Sequence, residues 1–309
     1  GVLIVNEGNG SAGTISYVST DLLTIRQDIF GTENPGQGVG GYVQSIFFDE
    51  NRAFIVSNAA NKITVVNRYT FEFIATIETG FDVPRYGVIE NGKAYVTNLG
   101  SFSDLTDDFI SVIDLSTLQV NNTIPVNAIA ERIEASNGKL YISNGSYGEG
   151  NSVTVVNTSS NTIETTIDLG LSPSSMEKEN GFLYVLCGNF MDDSKLIRIN
   201  LATNEKVSEI TMTVLVNAQN LNIDEGRFYF TVNSEVYSEN ISSSTISAIP
   251  LFSSTATTLY GFGVQDGKIF VGDAKDYASD GEVFIYTTSG VLQKQFSVGL
   301  IPNGFYLNN

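Results

Sequence analysis

The side chains available for chemistry exclude most familiar catalytic arrangements. The 309 residues include no His and one Cys, Cys187. Without His there is no Ser-His-Asp or Cys-His relay, no His-ligated zinc and no imidazole general base. A single Cys forms neither an internal disulfide nor a Cys-x-x-Cys metal site. We therefore expect a protein that is not an enzyme, with no catalytic residue and no cofactor.

Aromatic and amide side chains are the best candidates for a binding function. Aromatic faces beside amides and a few charges suit a large amphipathic ligand. The predicted ligand-binding residues are Tyr42, Gln44, Arg85, Tyr86, Phe102, Arg132, Tyr147, Phe190, Gln219, Tyr260, Tyr277 and Asn303. The alternative is that the aromatics cover strand ends and the amides satisfy loop backbone. Pairing with a neighbouring side chain is likewise the alternative role of each arginine.

Acidic loop residues raise the alternative of a calcium site. They form three groups: Asp104, Asp107 and Asp108; Asp192 and Asp193; and Asp276 and Asp280. Oxygen-rich loops suit calcium, but none of these groups has the spacing of an EF-hand loop. Charged loop tips are also commonly just solvated. We therefore assign no metal ligand.

The charge balance restricts the partners. The chain has 16 basic and 34 acidic side chains and a formal net charge of −18. Proteins that follow nucleic-acid phosphates need clustered Lys and Arg, so we expect no nucleic-acid partner. No window approaches the 18 consecutive apolar residues of a membrane span, so we expect no direct span either.

A repeated pattern must position the candidate residues. Six aromatic positions and one Leu head similar strand-like runs, at intervals of 41 to 51 residues: Leu3, Phe54, Tyr95, Tyr141, Tyr184, Tyr229 and Phe270. A period of 40 to 50 residues indicates a solenoid or a propeller. Because these aromatics recur with the period of the fold, we interpret them as packing residues. Cys187 lies in one of these runs and is predicted to be a buried, inert thiol.

Each repeat contains turn signals and room for four strands. The pairs Asn91-Gly92, Asn137-Gly138 and Asp266-Gly267 are typical of tight hairpins. Other strands end in Asn or Asp followed three residues later by a hydroxyl side chain, a pattern of side-chain-stabilised turns. The sequence therefore predicts an all-β seven-bladed propeller with four-stranded antiparallel blades, as a single domain over residues 1–309. Residues 304–307 are predicted to pair with residues 2–5, so that both terminal strands share one blade and close the ring.

The predicted loops are the expected home of function. We expect the connections after the second and fourth strands of each blade to be longer and to emerge on one face. They include residues 7–13, 31–41, 99–108, 145–150, 189–194 and 274–280. Arg85, Glu131 and Arg132 are predicted at the entrances of inner strands.

The repeats resemble the YncE-like, surface-layer-type seven-bladed propellers of secreted and surface bacterial proteins. The resemblance rests on the pattern N-G-K-x-Y-[VI]-[TS]-N at residues 91–98 and 137–144. A second pattern, [IV]-[TS]-V-[VI]-[ND], occurs at residues 63–67 and 153–157. The chain lacks the Trp and His of WD40 repeats and the His of lactonase-type propellers.

The opening residues 5–9 and 13–17 resemble those of surface lipoprotein propellers of Bacteroidetes, some of which capture cobalamin for a TonB-dependent outer-membrane transporter. The resemblance implies a non-enzymatic, ligand-binding monomer that captures a corrinoid-type nutrient. It also implies an extracellular or outer-membrane location with a lipid anchor upstream, the periplasm being the alternative. Fold alone does not settle function, and two alternatives stay open: a protein-interaction or adhesion scaffold, and a calcium-dependent hydrolase.

Overall fold

The computed structural model describes residues 1–10 and 12–308. Within these residues, seven four-stranded sheets form a seven-bladed β-propeller, and the predicted fold is confirmed. The chain divides into two compact units, one of residues 1–89, 114–120 and 254–309 and one of residues 90–113 and 121–253. The prediction of one domain over residues 1–309 stays a prediction.

Three sheets lie within the first unit. One has the order β28-β1-β2-β3, with β1 Val2–Asn6, β2 Thr14–Val18, β3 Ile25–Arg26 and β28 Pro302–Leu307. The next consists of β4 Val43–Phe48, β5 Arg52–Ser57, β6 Lys62–Asn67 and β7 Phe73–Ile77. The third consists of β24 Leu259–Gln265, β25 Lys268–Asp273, β26 Asp280–Thr287 and β27 Leu292–Leu300.

Three further sheets lie within the second unit. They comprise β12 Ile133–Ser136, β13 Lys139–Ser146, β14 Glu149–Asn157 and β15 Thr162–Asp168; β16 Pro173–Glu179, β17 Phe182–Cys187, β18 Asp193–Asn200 and β19 Glu205–Val216; and β20 Gln219–Asp224, β21 Arg227–Val232, β22 Glu235–Asn240 and β23 Phe252–Ser253. The remaining sheet is formed by β8 Pro84–Glu90, β9 Lys93–Asn98, β10 Phe109–Asp114 and β11 Gln119–Pro125.

The two terminal strands share a blade, as predicted. β28 pairs antiparallel with β1, with Leu3 opposite Tyr306 and Ile4 opposite Phe305. The N-terminal amine also donates a 3.2 Å hydrogen bond to the Asn308 carbonyl.

The predicted turn chemistry is confirmed. Asn137 and Gly138 have φ values of 53° and 76°, so both residues of the hairpin turn adopt the left-handed conformation that Asn and Gly accept most readily. The Asn67 side chain accepts a 3.0 Å hydrogen bond from the Thr70 amide, and Asp114 accepts one of 2.8 Å from the Ser116 amide.

The core of the second unit fills the space between successive sheets. Tyr141 is fully buried, and its hydroxyl donates to the Leu201 carbonyl at 2.9 Å. Val155, Val185 and Ile197 belong to the same buried cluster and are fully inaccessible. The repeated aromatics are therefore packing residues, as expected.

Two predicted loops are partly regular structure. Residues 145–150 do not form a loop, because β13 and β14 continue to a two-residue turn at Tyr147 and Gly148. The segment 31–41 begins inside a short helix, α1 Ile29–Glu33, whose N-cap Asp28 accepts the Gly31 amide. The connection after the second strand is therefore not long in every blade.

Candidate functional site

An open groove in the second unit brings two of the predicted residues together. Phe102 and Tyr147 line it with Leu105, and its volume is about 190 Å³. The side of the groove nearer the core contains the buried residues Leu99 and Ile129. We call this feature the aromatic groove; its full lining is Leu99, Ser101, Phe102, Leu105, Asp108, Ile129, Ser146, Tyr147 and Glu149.

The aromatic side chains of the groove are held in solvent. Phe102 is 73% exposed and Tyr147 is 82% exposed. Phe190 and Met191 are also strongly exposed, and the turn at Gly148 lies beside Asn189 and Phe190. Apolar rings exposed together mark a binding surface more often than scattered single residues do.

The backbone of Tyr147 is an unfavourable one for an aromatic residue. Tyr147 has φ 51° and Gly148 has φ 85°. Ser146 pairs with Glu149, so Tyr147 and Gly148 form a tight two-residue hairpin turn of the kind that favours Asn-Gly. A bulky side chain at positive φ costs conformational energy, and such costs are concentrated at functional sites.

Asp108 is the buried polar residue of the groove. It is only 2% exposed, and its Oδ2 accepts a 2.6 Å hydrogen bond from the Ala130 amide. Burial raises the pKa of Asp108 to about 7, against the lowering effect of that hydrogen bond, and the charges of Asp107, Glu131 and Asp104 raise it further. Sequence reasoning placed Asp108 in a solvated acidic loop and missed this role.

A second cluster of predicted residues lies in the first unit around Glu7. Glu7 itself was not predicted from the sequence as a site residue. The Tyr260 hydroxyl donates to Glu7 Oε2 at 2.9 Å, and the rings of Tyr260 and Tyr277 meet edge to face at 5.7 Å. Burial raises the pKa of Glu7, whereas the Tyr260 hydroxyl, the Arg85 charge and Asn303 lower it.

Gln44 forms side-chain hydrogen bonds with Tyr86 and Arg85 in this first-unit cluster. Its Nε2 donates to the Tyr86 hydroxyl at 2.8 Å, and its Oε1 accepts a short hydrogen bond from Arg85. Asn303 donates to the Val43 carbonyl at 3.0 Å. These groups largely satisfy one another, which is the alternative role that the sequence left open for them.

Three predicted residues have other surroundings. Tyr42 is exposed at φ 47°, and its amide donates to the Asn9 carbonyl. The Gln219 side-chain Nε2 donates a 3.1 Å hydrogen bond to Asn217 Oδ1. Arg132 lies at the entrance of β12 and lowers the pKa of two carboxyl groups, Glu134 and Glu177.

Glu134 and Glu177 form an acidic pair on adjacent inner strands. Burial raises the pKa of Glu177 to about 8, and the charge of Glu134 raises it further. Lys178 Nζ lies 3.6 Å from Glu134 Oε2 and donates to the Ala135 carbonyl. Neither glutamate stood out in the sequence, because only the three-dimensional register places them side by side.

The cysteine and two of the acidic loop residues are buried or bonded within the protein. Cys187 is fully buried, and burial raises the pKa of its thiol to about 12. Asp107 accepts the Ser101 amide, and Asp276 accepts the amides of Ala278 and Ser279. Among residues 1–10 and 12–308, no three acidic or cysteine side chains converge as a metal site. No helix in this part of the chain has the length and apolarity needed to cross a bilayer.

The sequence matches the family model described as Domain of unknown function (DUF5074) over residues 1–298. The chain belongs to the DUF5074 family. No curated protein matches this DUF5074 chain in sequence.

Solved structures share the fold of this DUF5074 protein at low sequence identity. A quinoprotein alcohol dehydrogenase-like protein of Bacteroides thetaiotaomicron is 14% identical, with a TM-score of 0.75, covering 99% of this chain and 78% of the other. BamB of Moraxella catarrhalis is 13% identical, with a TM-score of 0.57 and coverage of 99% and 85%. Apo AztD of Citrobacter koseri is 12% identical, with a TM-score of 0.56 and coverage of 98% and 96%. These similarities support the fold.

Proposed function

We propose that this DUF5074 protein is a non-enzymatic binding protein displayed outside the cell. The observation that carries the proposal is the aromatic groove, where Phe102 and Tyr147 come from separate strand connections to expose their rings on one surface. Exposed rings are well suited to pack against a ligand, and the ring of Tyr147 is held there on an unfavourable backbone.

A corrinoid is the first small molecule to test. The resemblance of residues 5–9 and 13–17 to surface lipoprotein propellers of Bacteroidetes, some of which capture cobalamin, supports this choice. Enclosed ligand pockets usually measure about 300–1,000 Å³. The aromatic groove, at about 190 Å³, would therefore hold a corrinoid by an edge or a side chain and leave the rest of the ligand in solvent.

Docking of a surface protein is the second candidate. It is favoured by the shallow form of the groove, by the exposed Phe190 beside the turn at Gly148, and by the exposed Met191 that follows Phe190 in the chain. Aromatic side chains and Met are enriched at protein interfaces. An outer-membrane transporter of the TonB-dependent type would be such a partner.

Calorimetric titration with cyanocobalamin, with and without calcium and a chelator, tests the small-molecule candidate. We expect calcium-independent binding without turnover, weakened about tenfold or more by Phe102→Ala or Tyr147→Ala. Ile249→Ala is the control, because Ile249 is 80% exposed and does not line the groove.

Two results would separate the candidates. Binding that both groove variants leave unchanged would show that the groove is not the site. Absence of any corrinoid binding would remove the corrinoid and favour the protein partner, which pull-down with the solubilised transporter would then test.

Display outside the cell has its own test. Treatment of intact cells with an added protease should degrade the protein while a cytoplasmic marker survives. Protection until the outer membrane is permeabilised would place it in the periplasm instead.

A further inference from the structure

The aromatic groove lies in a strongly negative part of the second unit. Asp108 and Glu149 line it, and no Lys or Arg is among its lining residues. The nearby charges of Asp107, Glu131 and Asp104 raise the pKa of Asp108. A ligand that enters this groove therefore meets a field that attracts cations and repels anions.

Asp108 is the buried carboxylate of the groove. Its Oδ2 accepts a 2.6 Å hydrogen bond from the Ala130 amide. The residue is only 2% exposed, and neither Lys nor Arg lines the groove beside it. Burial disfavours the charged form of a carboxylate, and a cation bound beside it would offset that cost.

Aromatic rings beside a buried carboxylate form the usual recognition site for an organic ammonium group. The face of an aromatic ring attracts a cation, and the carboxylate neutralises the charge that a wholly apolar site would reject. We propose that the aromatic groove binds the ammonium group of an organic cation, with Phe102 and Tyr147 contacting its methyl or methylene groups and Asp108 facing its charge. This inference rests on the proposed binding function and narrows the ligand class at the same site.

The size of the groove agrees with this ligand class. About 190 Å³ is too small to enclose a large amphipathic molecule but is sufficient for a compact alkylammonium group. The ammonium group could belong to a free organic cation or to a lysine side chain of a partner protein. The test therefore includes a probe for each source.

The test compares choline with its neutral carbon isostere, 3,3-dimethylbutan-1-ol, by calorimetry or NMR titration at pH 8 and constant ionic strength. We expect choline to bind about tenfold or more tightly than the isostere, because only choline carries the charge. Nα-acetyl-lysine N-methylamide is titrated in parallel. Tighter binding of this probe than of choline would identify a protein lysine as the source, and the reverse would identify a free cation.

Variants separate the two parts of the site. Asp108→Asn keeps the shape and an acceptor for the Ala130 amide, and it should reduce choline affinity about tenfold or more while leaving isostere binding nearly unchanged. Phe102→Ala should weaken both probes. Ile249→Ala should weaken neither.

The wild-type protein offers a measurement that does not depend on the folding of a variant. With a pKa of about 7, Asp108 is about one-tenth ionised at pH 6 and about nine-tenths ionised at pH 8. Choline affinity should therefore rise about tenfold between these pH values, while isostere affinity should not rise.

Equal affinity for choline and the isostere at pH 8, or choline binding that neither pH nor Asp108→Asn changes, would overturn the ammonium inference. Failure of choline to bind while Phe102→Ala still weakens cyanocobalamin binding would also overturn it, but the proposed function would stand. If Phe102→Ala weakened the binding of none of the ligands that bind, both the ammonium inference and the proposed function would be overturned.

Discussion

The Tyr260 hydroxyl donates a 2.9 Å hydrogen bond to Glu7 Oε2, joining two residues that are 253 positions apart in the chain. Glu7 directly follows β1, and Tyr260 lies near the start of β24. Burial raises the pKa of Glu7, and the hydrogen bond from Tyr260 offsets part of that effect.

Replacement of Tyr260 by Phe should raise the pKa of Glu7. The change removes the hydrogen bond that stabilises the charged carboxylate, and it should also lower the free energy of unfolding by about 0.5–1.5 kcal/mol at neutral pH. Carboxyl-carbon NMR titration of Glu7 measures the first effect. Tyr277→Phe is the matched control, since it retains the edge-to-face ring contact. An unchanged Glu7 pKa in Tyr260→Phe would contradict this account.

Tyr147→Asn should make the protein more stable and a weaker binder. Asn accepts the φ of 51° more readily than Tyr does, and Asn-Gly is a favoured hairpin turn. The expected gain in unfolding free energy is about 0.5–1 kcal/mol, measured by thermal denaturation. Tyr147→Phe keeps both the ring and the unfavourable backbone and should leave stability nearly unchanged. A loss of stability in Tyr147→Asn would mean that the Tyr ring stabilises the fold more than its backbone conformation destabilises it.

Glu177→Gln should stabilise the protein at high pH. The folded-state pKa of about 8 lies above the ordinary value of 4.5, so the protonated form favours folding. This contribution is fully present below about pH 4.5 and is lost as the pH rises through about 8. Gln cannot ionise, so the variant should exceed the wild type by about 2 kcal/mol at pH 9, a value reduced from the full shift because Glu177 retains some exposure.

Comparison of melting temperatures at pH 5 and pH 9 checks this expectation. The stabilisation by Glu177→Gln should be much smaller at pH 5. Glu205→Gln, on the exposed β19, is the control. A variant that gains equally at both pH values would show that ionisation of Glu177 is not the cause.

Cys187 should react with thiol reagents only when the protein opens. The thiol is fully buried, and its pKa is raised to about 12, so both access and the thiolate fraction are very small. Labelling should be slow in the native state and rapid in denaturant, with product followed by mass spectrometry. Rapid labelling of the native protein would show that Cys187 is accessible and would reopen a nucleophilic role.

The repeat made the fold predictable, because the packing aromatics recur in register. Tyr141 occurs at the same place in its repeat as Tyr184, and both are buried between sheets. The turn pair Asn137-Gly138 has the backbone that its residue types require. These features are local or periodic, so the sequence alone expresses them.

The candidate site was only partly predictable. Phe102 and Tyr147 were chosen as exposed aromatics, and they do line one groove. Asp108 was not, since its neighbours Asp104 and Asp107 make the segment look like an ordinary solvated acidic loop. Its carboxylate accepts a hydrogen bond from the Ala130 amide, 22 positions away, and no sequence pattern reports that contact.

The central claim, that the aromatic groove is the binding surface, is tested most directly by hydrogen exchange of the whole protein with cyanocobalamin and, in parallel, with choline. We predict slowed exchange confined to residues 99–109 and 143–150 with at least one of the two ligands. Protection centred on residues 84–90 and 302–307, or no protection with either ligand, would contradict the account.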